Sequence, residues 1–292
     1  MRITIITVDS RGDVQPCIAL GLGLRAAGHD VRLATHIEHQ SLIPERSLEF
    51  FPVANNPREM LAAKSPEMGH AAYTPAQFSR WHLELVRTYG TLMRRYMADC
   101  LAACQGTDAI MYSVSGFFAG SIAEKLKVPL FQAFLQPVTP THAFPSSVFA
   151  SGRRLGGIYN RLTYTMARQA FWLLYGPGVN RARRDVLNLP PLPLAGPYRQ
   201  MDKRRHPVLY GYSPTVLPKP ADWGKWHHVT GYWFLDRPAE WQPPADLSDF
   251  LAAGPPPIYV GFGSMNRDMS KPEETVDVVL KALARTRRRG IL

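Results

Sequence analysis

Residues 1–35 read MRITIITVDSRGDVQPCIALGLGLRAAGHDVRLAT, and this stretch decides the fold. Ile3 to Val8 reads as a buried strand, Val14 to Ala27 as a helix ended by Gly28, and Val31 to Thr35 as the next strand. The alternation continues downstream. A short helix leads to a strand at Leu48 to Val53, and a long helix runs from Pro75 to Cys104, with Thr74 as its cap. Strand Ala109 to Tyr112, helix Phe117 to Lys127 and strand Leu130 to Leu135 follow. Strands alternating with helices mark βαβ units, so the expected class is α/β with a Rossmann-like, mostly parallel sheet.

After Gln136 the character changes. The segment QPVTPTHAFPSS (136–147) has three prolines and no periodicity, which predicts a loop of functional length. A helix is expected from about Leu155 to Tyr175, with Ile158, Leu162, Met166, Ala170 and Leu173 as its apolar stripe and Arg154, Arg161 and Arg168 on another face. That pattern predicts a core helix with a wet side; a helix bordering an apolar ligand or lying on a membrane surface is the alternative. Beyond the proline-rich 189–197, a strand is expected at Val208 to Tyr212, then a loop holding Trp223, Trp226, His227 and His228.

The run RPAEWQPPADLSDFLAAGPPP (237–257) is a shift in composition. It predicts an N-terminal domain over 1–236, a linker over 237–255, and a new unit over 256–292. That unit opens with strand Ile258 to Phe262, the turn GSMN and a helix from Pro272 to Arg288. A strand at Gly290 to Leu292 is expected to lack a partner, because one βα unit cannot bury its own core.

Composition narrows the classes. Of the 292 residues, 46% are hydrophobic and 20% charged, which is globular rather than disordered. No apolar run reaches the roughly 18 residues of a membrane span, and the N-terminus lacks a cleavage-site pattern. Cys17, Cys100 and Cys104 are too few for a disulfide framework, and no His/Cys cluster has zinc spacing, so a reduced, cytoplasmic setting and no metal are expected. The net charge of +11 comes mostly from short arginine clusters such as 181–184 and 203–205, which predict a solvated basic face. Nothing in them carries a nucleic-acid signature, so no nucleic-acid partner is expected.

In an open parallel sheet, ligands sit beyond the carboxyl ends of the strands, which directs attention to the first βα turn, Asp9 to Pro16. It is not a dinucleotide fingerprint: Gly21, Gly23 and Gly28 fall inside or at the end of the helix. It instead offers a carboxylate, Asp13, near a helix N-terminus, readable as a base or as a helix cap. The second candidate turn is Gly261-Phe262-Gly263-Ser264-Met265-Asn266, whose glycines and hydroxyl suit close approach to a phosphate, or simply a tight turn.

Four segments carry a family resemblance: SRGDVQPCIALGLGL (10–24), QPVTPTHAFPSS (136–147), YGYSPTVLPKPADWGKWHHVTGYWFLD (210–236) and GFGSM (261–265). Together they resemble the sterol-type glucosyltransferases, a branch of the UDP-dependent glycosyltransferases with the two-lobed GT-B architecture, near the transferases of antibiotic aglycones. The resemblance implies an N-terminal lobe for a lipophilic hydroxylated acceptor and a C-terminal lobe, here only begun, for the UDP-sugar co-substrate. It implies inverting, metal-free transfer of a hexose such as glucose, with no cofactor. Asp13 then falls on the general base, Ser10 and Arg11 on donor-approaching positions, and Gly263 and Ser264 beside the donor diphosphate.

Asp9 stands where relatives carry glycine, and the family's His-Cys/Gly-Gly-rich donor motif and later Asp-Gln pair map beyond Leu292. For the acceptor, the loop from Pro137 to Phe149 over the 155–175 helix predicts an apolar wall, with Gln136, Phe144 and Trp172 as contacts. A peripheral membrane contact and association with a chain completing the second lobe are further partner expectations. A non-catalytic acceptor-lobe fragment, or a transferase for antibiotic or polyketide aglycones, are the alternatives.

Overall fold

The computed structural model describes residues 1–8, 10–44, 47–54, 91–149, 155–237, 241–262 and 272–292. Two compact units divide at Leu235/Asp236.

The first unit is built on strands β1 (Arg2–Ile6), β2 (Asp30–His36), β3 (Glu49–Val53), β4 (Ala109–Tyr112), β5 (Leu130–Phe134), β6 (Val208–Tyr210) and β7 (His227–Val229). All pair in parallel, in the order β3-β2-β1-β4-β5-β6-β7. The period-two geometry of a strand sends alternate side chains to opposite faces. Ile3, Ile5, Val31, Leu33, Ala109 and Met111 join one buried cluster with Val14, Cys17 and Ile18 of helix α1 (Arg11–Ala26). Ile6, Ala34, Ile110 and Tyr112 join the other, against helical residues 91–103 (α2) and α3 (Ala119–Leu126). Both faces are covered, which is why these strands read as apolar runs. The expected Rossmann-like α/β sheet is what forms.

Four expectations for this unit need correction. The segment read as a loop around His227 is the edge strand β7, too short at three residues to carry a sequence period. The helix foreseen at 155–175 is α4 (Gly157–Asp185), which runs ten residues further, through Pro177. Burial of Val179 and Ala182 offsets the hydrogen bond that proline cannot make. The apolar stripe of α4 does not face the core: Ile158 is 85% exposed, and Leu162, Met166 and Leu173 are exposed with it. The buried positions are Thr163, Tyr164 and Trp172 instead. Nor are the arginine clusters wholly solvated, since Arg183 is buried and paired with Glu124 at 3.1 Å. A further short helix, α5 (Tyr198–Arg204), follows the proline-rich segment.

In the second unit, the proline-flanked stretch read as linker contains helix α6 (Ala245–Ala252), started by Pro244 and Asp246. Strand β8 (Ile258–Tyr259) is followed by helix α7 (Pro272–Thr286) and β9 (Gly290–Ile291). The strand at 290 is not unpartnered, because β9 pairs in parallel with β8. Neither strand joins the seven-stranded sheet. The expected long helix before Cys104 lies partly outside the described residues, and Arg153, Arg154 and the GSMN turn lie wholly outside them.

Candidate active site

The chain runs outward from β1 to β2 and β3, then returns to β4 on the other side of β1. At such a switch point the connections diverge, and a crevice opens at the carboxyl ends of the strands. Here Asp13, Ser113, Val114, Ala133, Leu135 and Gln136 line a cavity of about 160 Å³. Its back is held by short polar bonds. The Ser113 N–H donates to the Ile6 carbonyl at 3.0 Å, and the Ser113 and Ser115 hydroxyls lie 2.9 Å apart. Gly116 lets this turn close on β1: a Cβ there would sit 3.2 Å from the Ile6 carbonyl oxygen and 3.0 Å from the Cβ of Tyr112.

Asp13 is the third residue of α1, not its cap. Ser10 holds the cap position in extended conformation, and its carbonyl accepts from the N–H groups of Asp13 at 2.9 Å and Val14 at 3.1 Å. The Ser10 hydroxyl donates to Asp13 Oδ2 at 2.9 Å. The carboxylate therefore sits in the first turn, where the helix dipole favours negative charge, with one oxygen oriented by a neutral donor.

A second cavity, about 250 Å³ and rich in aromatic side chains, is lined by Tyr112, Phe117, Phe134, Tyr164, Phe171 and Trp172 among others. Val114 and Gln136 line both this cavity and the one at Asp13. An apolar body and a carboxylate thus share two wall residues. The Tyr164 hydroxyl is buried without a protein partner among the described residues, and burial pushes its phenol well above the usual range. An unbonded buried hydroxyl costs free energy that a ligand's polar atom would recover.

The 136–147 loop that covers this cavity is fastened at both ends. The Tyr210 hydroxyl donates to Thr139 Oγ1 at 2.7 Å and accepts from the Thr139 N–H at 3.0 Å, with its ring stacked on Trp223. Asp222 binds Thr141 and His142. From α4, Thr163 Oγ1 accepts from the Ser146 N–H at 2.9 Å, and Asn160 Nδ2 donates to the His142 carbonyl.

The expected site residues are thus partly brought together. Asp13, Ser10 and Gln136 converge at the switch point. Arg11 is drawn along the helix, its Nε donating to Gln15 Oε1 at 3.0 Å. Phe144 is half-buried and lines neither cavity. Trp172 lines the aromatic cavity but is a core side chain, 4% exposed, with its indole N–H on the Pro193 carbonyl at 3.0 Å. Gly196, at φ +75°, leaves room for that indole; a Cβ there would meet it at 2.9 Å. Gly263 and Ser264 lie outside the described residues. Sequence reasoning missed Ser113, Val114, Tyr164 and Asp222. Of these only Asp222 had a signal, as a charged residue inside a segment that carried the resemblance.

Residues 3–145 match the model of the glycosyltransferase family 28 N-terminal domain. The chain is similar to curated sterol 3-beta-glucosyltransferases across almost its full length. A sterol 3-beta-glucosyltransferase of Cryptococcus neoformans is 38% identical over 97% of this chain and 18% of that protein. Another from Pichia angusta is 36% identical over 100% of this chain and 23% of that protein. The chain thus spans about a fifth of the length of these curated relatives. Among solved structures, the spinosyn forosaminyltransferase SpnP aligns with a TM-score of 0.51 and 15% identity, covering 98% of this chain and 64% of that one. Arabidopsis thaliana UGT89C1 complexed with quercetin aligns with a TM-score of 0.51 and 15% identity over 99% of this chain and 64% of that one. These two likenesses bear on the fold.

Proposed function

We propose that the first unit of this chain holds the acceptor in an inverting transfer of glucose from UDP-glucose to the hydroxyl of a sterol-like alcohol. The observation that carries this reading is the pair of residues, Val114 and Gln136, shared by the aromatic cavity and the carboxylate-lined one. A flat apolar acceptor lays its hydroxyl-bearing ring end in the aromatic cavity and presents that hydroxyl past Gln136 to Asp13. As the acceptor oxygen attacks the anomeric carbon, Asp13 takes its proton, the bond from that carbon to the diphosphate oxygen breaks, and UDP leaves with the electron pair. The Ser10 hydroxyl holds the carboxylate in place. Asp13, Ser10 and Gln136 are thus the working residues of this unit, Trp172 is a wall of the acceptor cavity, and Arg11 approaches the donor. Gly263 and Ser264, in the second unit, serve the diphosphate.

The exposed side of α4 supports reading a peripheral membrane contact there. Ile158, Leu162 and Met166 recur every four residues with Arg161 between them, on a chain of net charge +11. Among the described residues no helix is long and apolar enough to cross a membrane. The domain reading follows the same lines: an acceptor unit to about residue 236, and a donor unit from about 256 that further sequence or a second chain completes.

The test is a titration of the chain with a fluorescent sterol, with and without Ala167→Trp, which fills the aromatic cavity from α4. Saturable binding lost in that variant and kept in Asp13→Asn supports the reading. Equal binding by all three removes the acceptor from this cavity. A panel in which glycopeptide or polyketide aglycones outcompete the sterol selects the antibiotic-type reading instead.

A further inference from the structure

A third cavity, of about 290 Å³, shares Phe117, Trp172, Pro197 and Met201 with the aromatic one, so these four side chains stand between them. Its chemistry is different. Phe118, Val128 and Leu130 give it an apolar interior, while Lys127, Arg183 and Arg204 bring three cations against a single carboxylate, Glu124. Arg183 is 2% exposed. Its Nε donates to the Pro190 carbonyl at 2.9 Å, and its Nη1 donates to Ser121 Oγ at 2.7 Å and Glu124 Oε2 at 3.1 Å. Nη2 makes no hydrogen bond among the described residues. A guanidinium has five donors in a fixed fork, and here the two on Nη2 remain to be used. An arginine held this firmly, with one amino group unspent at the wall of a basic, apolar-floored cavity, is half of a carboxylate site.

We propose that this cavity binds an amphiphilic carboxylate, with its tail against Phe118, Val128 and Leu130 and its head between Lys127, Arg183 and Arg204, and that its occupation changes acceptor affinity through the Phe117–Trp172–Met201 partition. The volume is at the small end of the roughly 300–1,000 Å³ typical of ligand cavities, so it takes a medium-chain acid of about eight to ten carbons and not a two-chain lipid. Coupling follows from the shared wall. A close-packed partition of large rings cannot yield on one side without moving on the other, and any effect of the acid on the acceptor is matched by an equal effect of the acceptor on the acid. The coupling half rests on the acceptor reading above; the carboxylate site does not.

Octanoate and 1-octanol, matched in length and differing in charge, are the probes, titrated calorimetrically into the 292-residue chain. Octanoate should bind at one saturable site at least tenfold more tightly than octanol. The double variant Lys127→Glu, Arg204→Glu alters exposed side chains. It should weaken octanoate at least tenfold, leaving octanol affinity and the thermal midpoint unchanged. Ala167→Trp, which blocks only the aromatic cavity, should keep the saturable octanoate site, with its affinity shifted no more than severalfold through the shared wall. Loss of octanoate binding in Ala167→Trp, with none in the charge-reversed variant, places the acid in the acceptor cavity and overturns the proposal. So does equal affinity for acid and alcohol. Saturating octanoate should shift sterol affinity at least threefold; an unchanged value overturns the coupling. A chain that binds octanoate but no sterol refutes the acceptor reading alone.

Discussion

The carboxylate of Asp222 accepts hydrogen bonds from the backbone N–H of His142 at 2.8 Å and from its ring Nδ1–H at 2.9 Å, across 80 residues of sequence. A third arrives from Thr141 Oγ1 at 2.6 Å. These bonds join two of the segments that carry the family resemblance, and they pin the loop over the aromatic cavity. Burial pushes the Asp222 carboxyl up, but the bonds from Thr141 and His142 outweigh burial and hold it below its ordinary value.

A carboxyl lowered in the folded state adds stability above its unfolded pKa of about 3.9, and that stability is lost as pH falls through the lower folded value. Asp222→Asn should therefore cost about 1–2 kcal/mol near neutral pH, and the gap to the parent should narrow as pH drops below about 4. Urea denaturation at a series of pH values measures both. A gap independent of pH would mean that the carboxylate's charge contributes nothing to the latch.

Asp13 and Ser10 separate chemistry from binding. With the chain joined to the donor-lobe sequence of a relative, Asp13→Asn should lower turnover by roughly 100-fold or more, as loss of a general base does. Sterol affinity should stay within about twofold, because the amide keeps the carboxylate's shape. Ser10→Ala, which frees one carboxylate oxygen, should cost about tenfold in turnover with KM unchanged. UDP release is the readout. Near-normal turnover in Asp13→Asn would reduce Asp13 to a residue that complements the helix dipole.

The parallel sheet was legible because its central strands are runs of apolar residues, and the connections from β1 to β2 and from β4 to β5 hold helix-length patterns. Ile3 to Ile6 and Ala109 to Tyr112 could hardly be misread. What escaped was set by tertiary contact. His227 to Val229 is a strand because Tyr210 and its neighbours offer an edge to pair with. The stripe on α4 has core periodicity, but the opposite side, carrying Tyr164 and Trp172, is the one covered. Periodicity finds an amphipathic helix; it does not say which neighbour the apolar side meets. At the candidate site, Asp13 was legible from its place after the first strand. Ser113 and Val114 were not, since the crossover that brings them beside it leaves no local mark.

Trp172 belongs to the acceptor wall and to the core at once, so the informative substitution is a modest one. Trp172→Ala empties a site packed against Gly196 and strands the Pro193 carbonyl, which should cost about 3–5 kcal/mol and weaken every ligand through unfolding. Trp172→Phe keeps an aromatic wall and loses the indole bond. It should cost about 1–2 kcal/mol and weaken sterol binding severalfold, with UDP-glucose affinity unchanged. Denaturation midpoints alongside both titrations distinguish the cases. Equal loss for both ligands in the Phe variant would place Trp172 in the fold alone.

The stripe of α4 allows a test at the surface. Ile158 and Leu162 are exposed one turn apart, so replacing them removes no core contact, and Ile158→Asp with Leu162→Asp should leave the thermal midpoint within about 2 °C. If that face meets a membrane, the parent should co-sediment with vesicles containing anionic lipid, and more weakly with neutral ones. Burying a side chain of this size is worth about 1.5–3 kcal/mol, so losing two should lower partitioning at least tenfold. Raising the salt should release the electrostatic share, since the Debye length shrinks from about 10 Å at 0.1 M to about 3 Å at 1 M. Reversal of the exposed Arg161 to Glu should mimic the effect of salt and not that of the aspartates. Vesicle binding that is indifferent to both the apolar and the charged variants would assign the contact to another part of the chain and leave this helix face without a lipid partner.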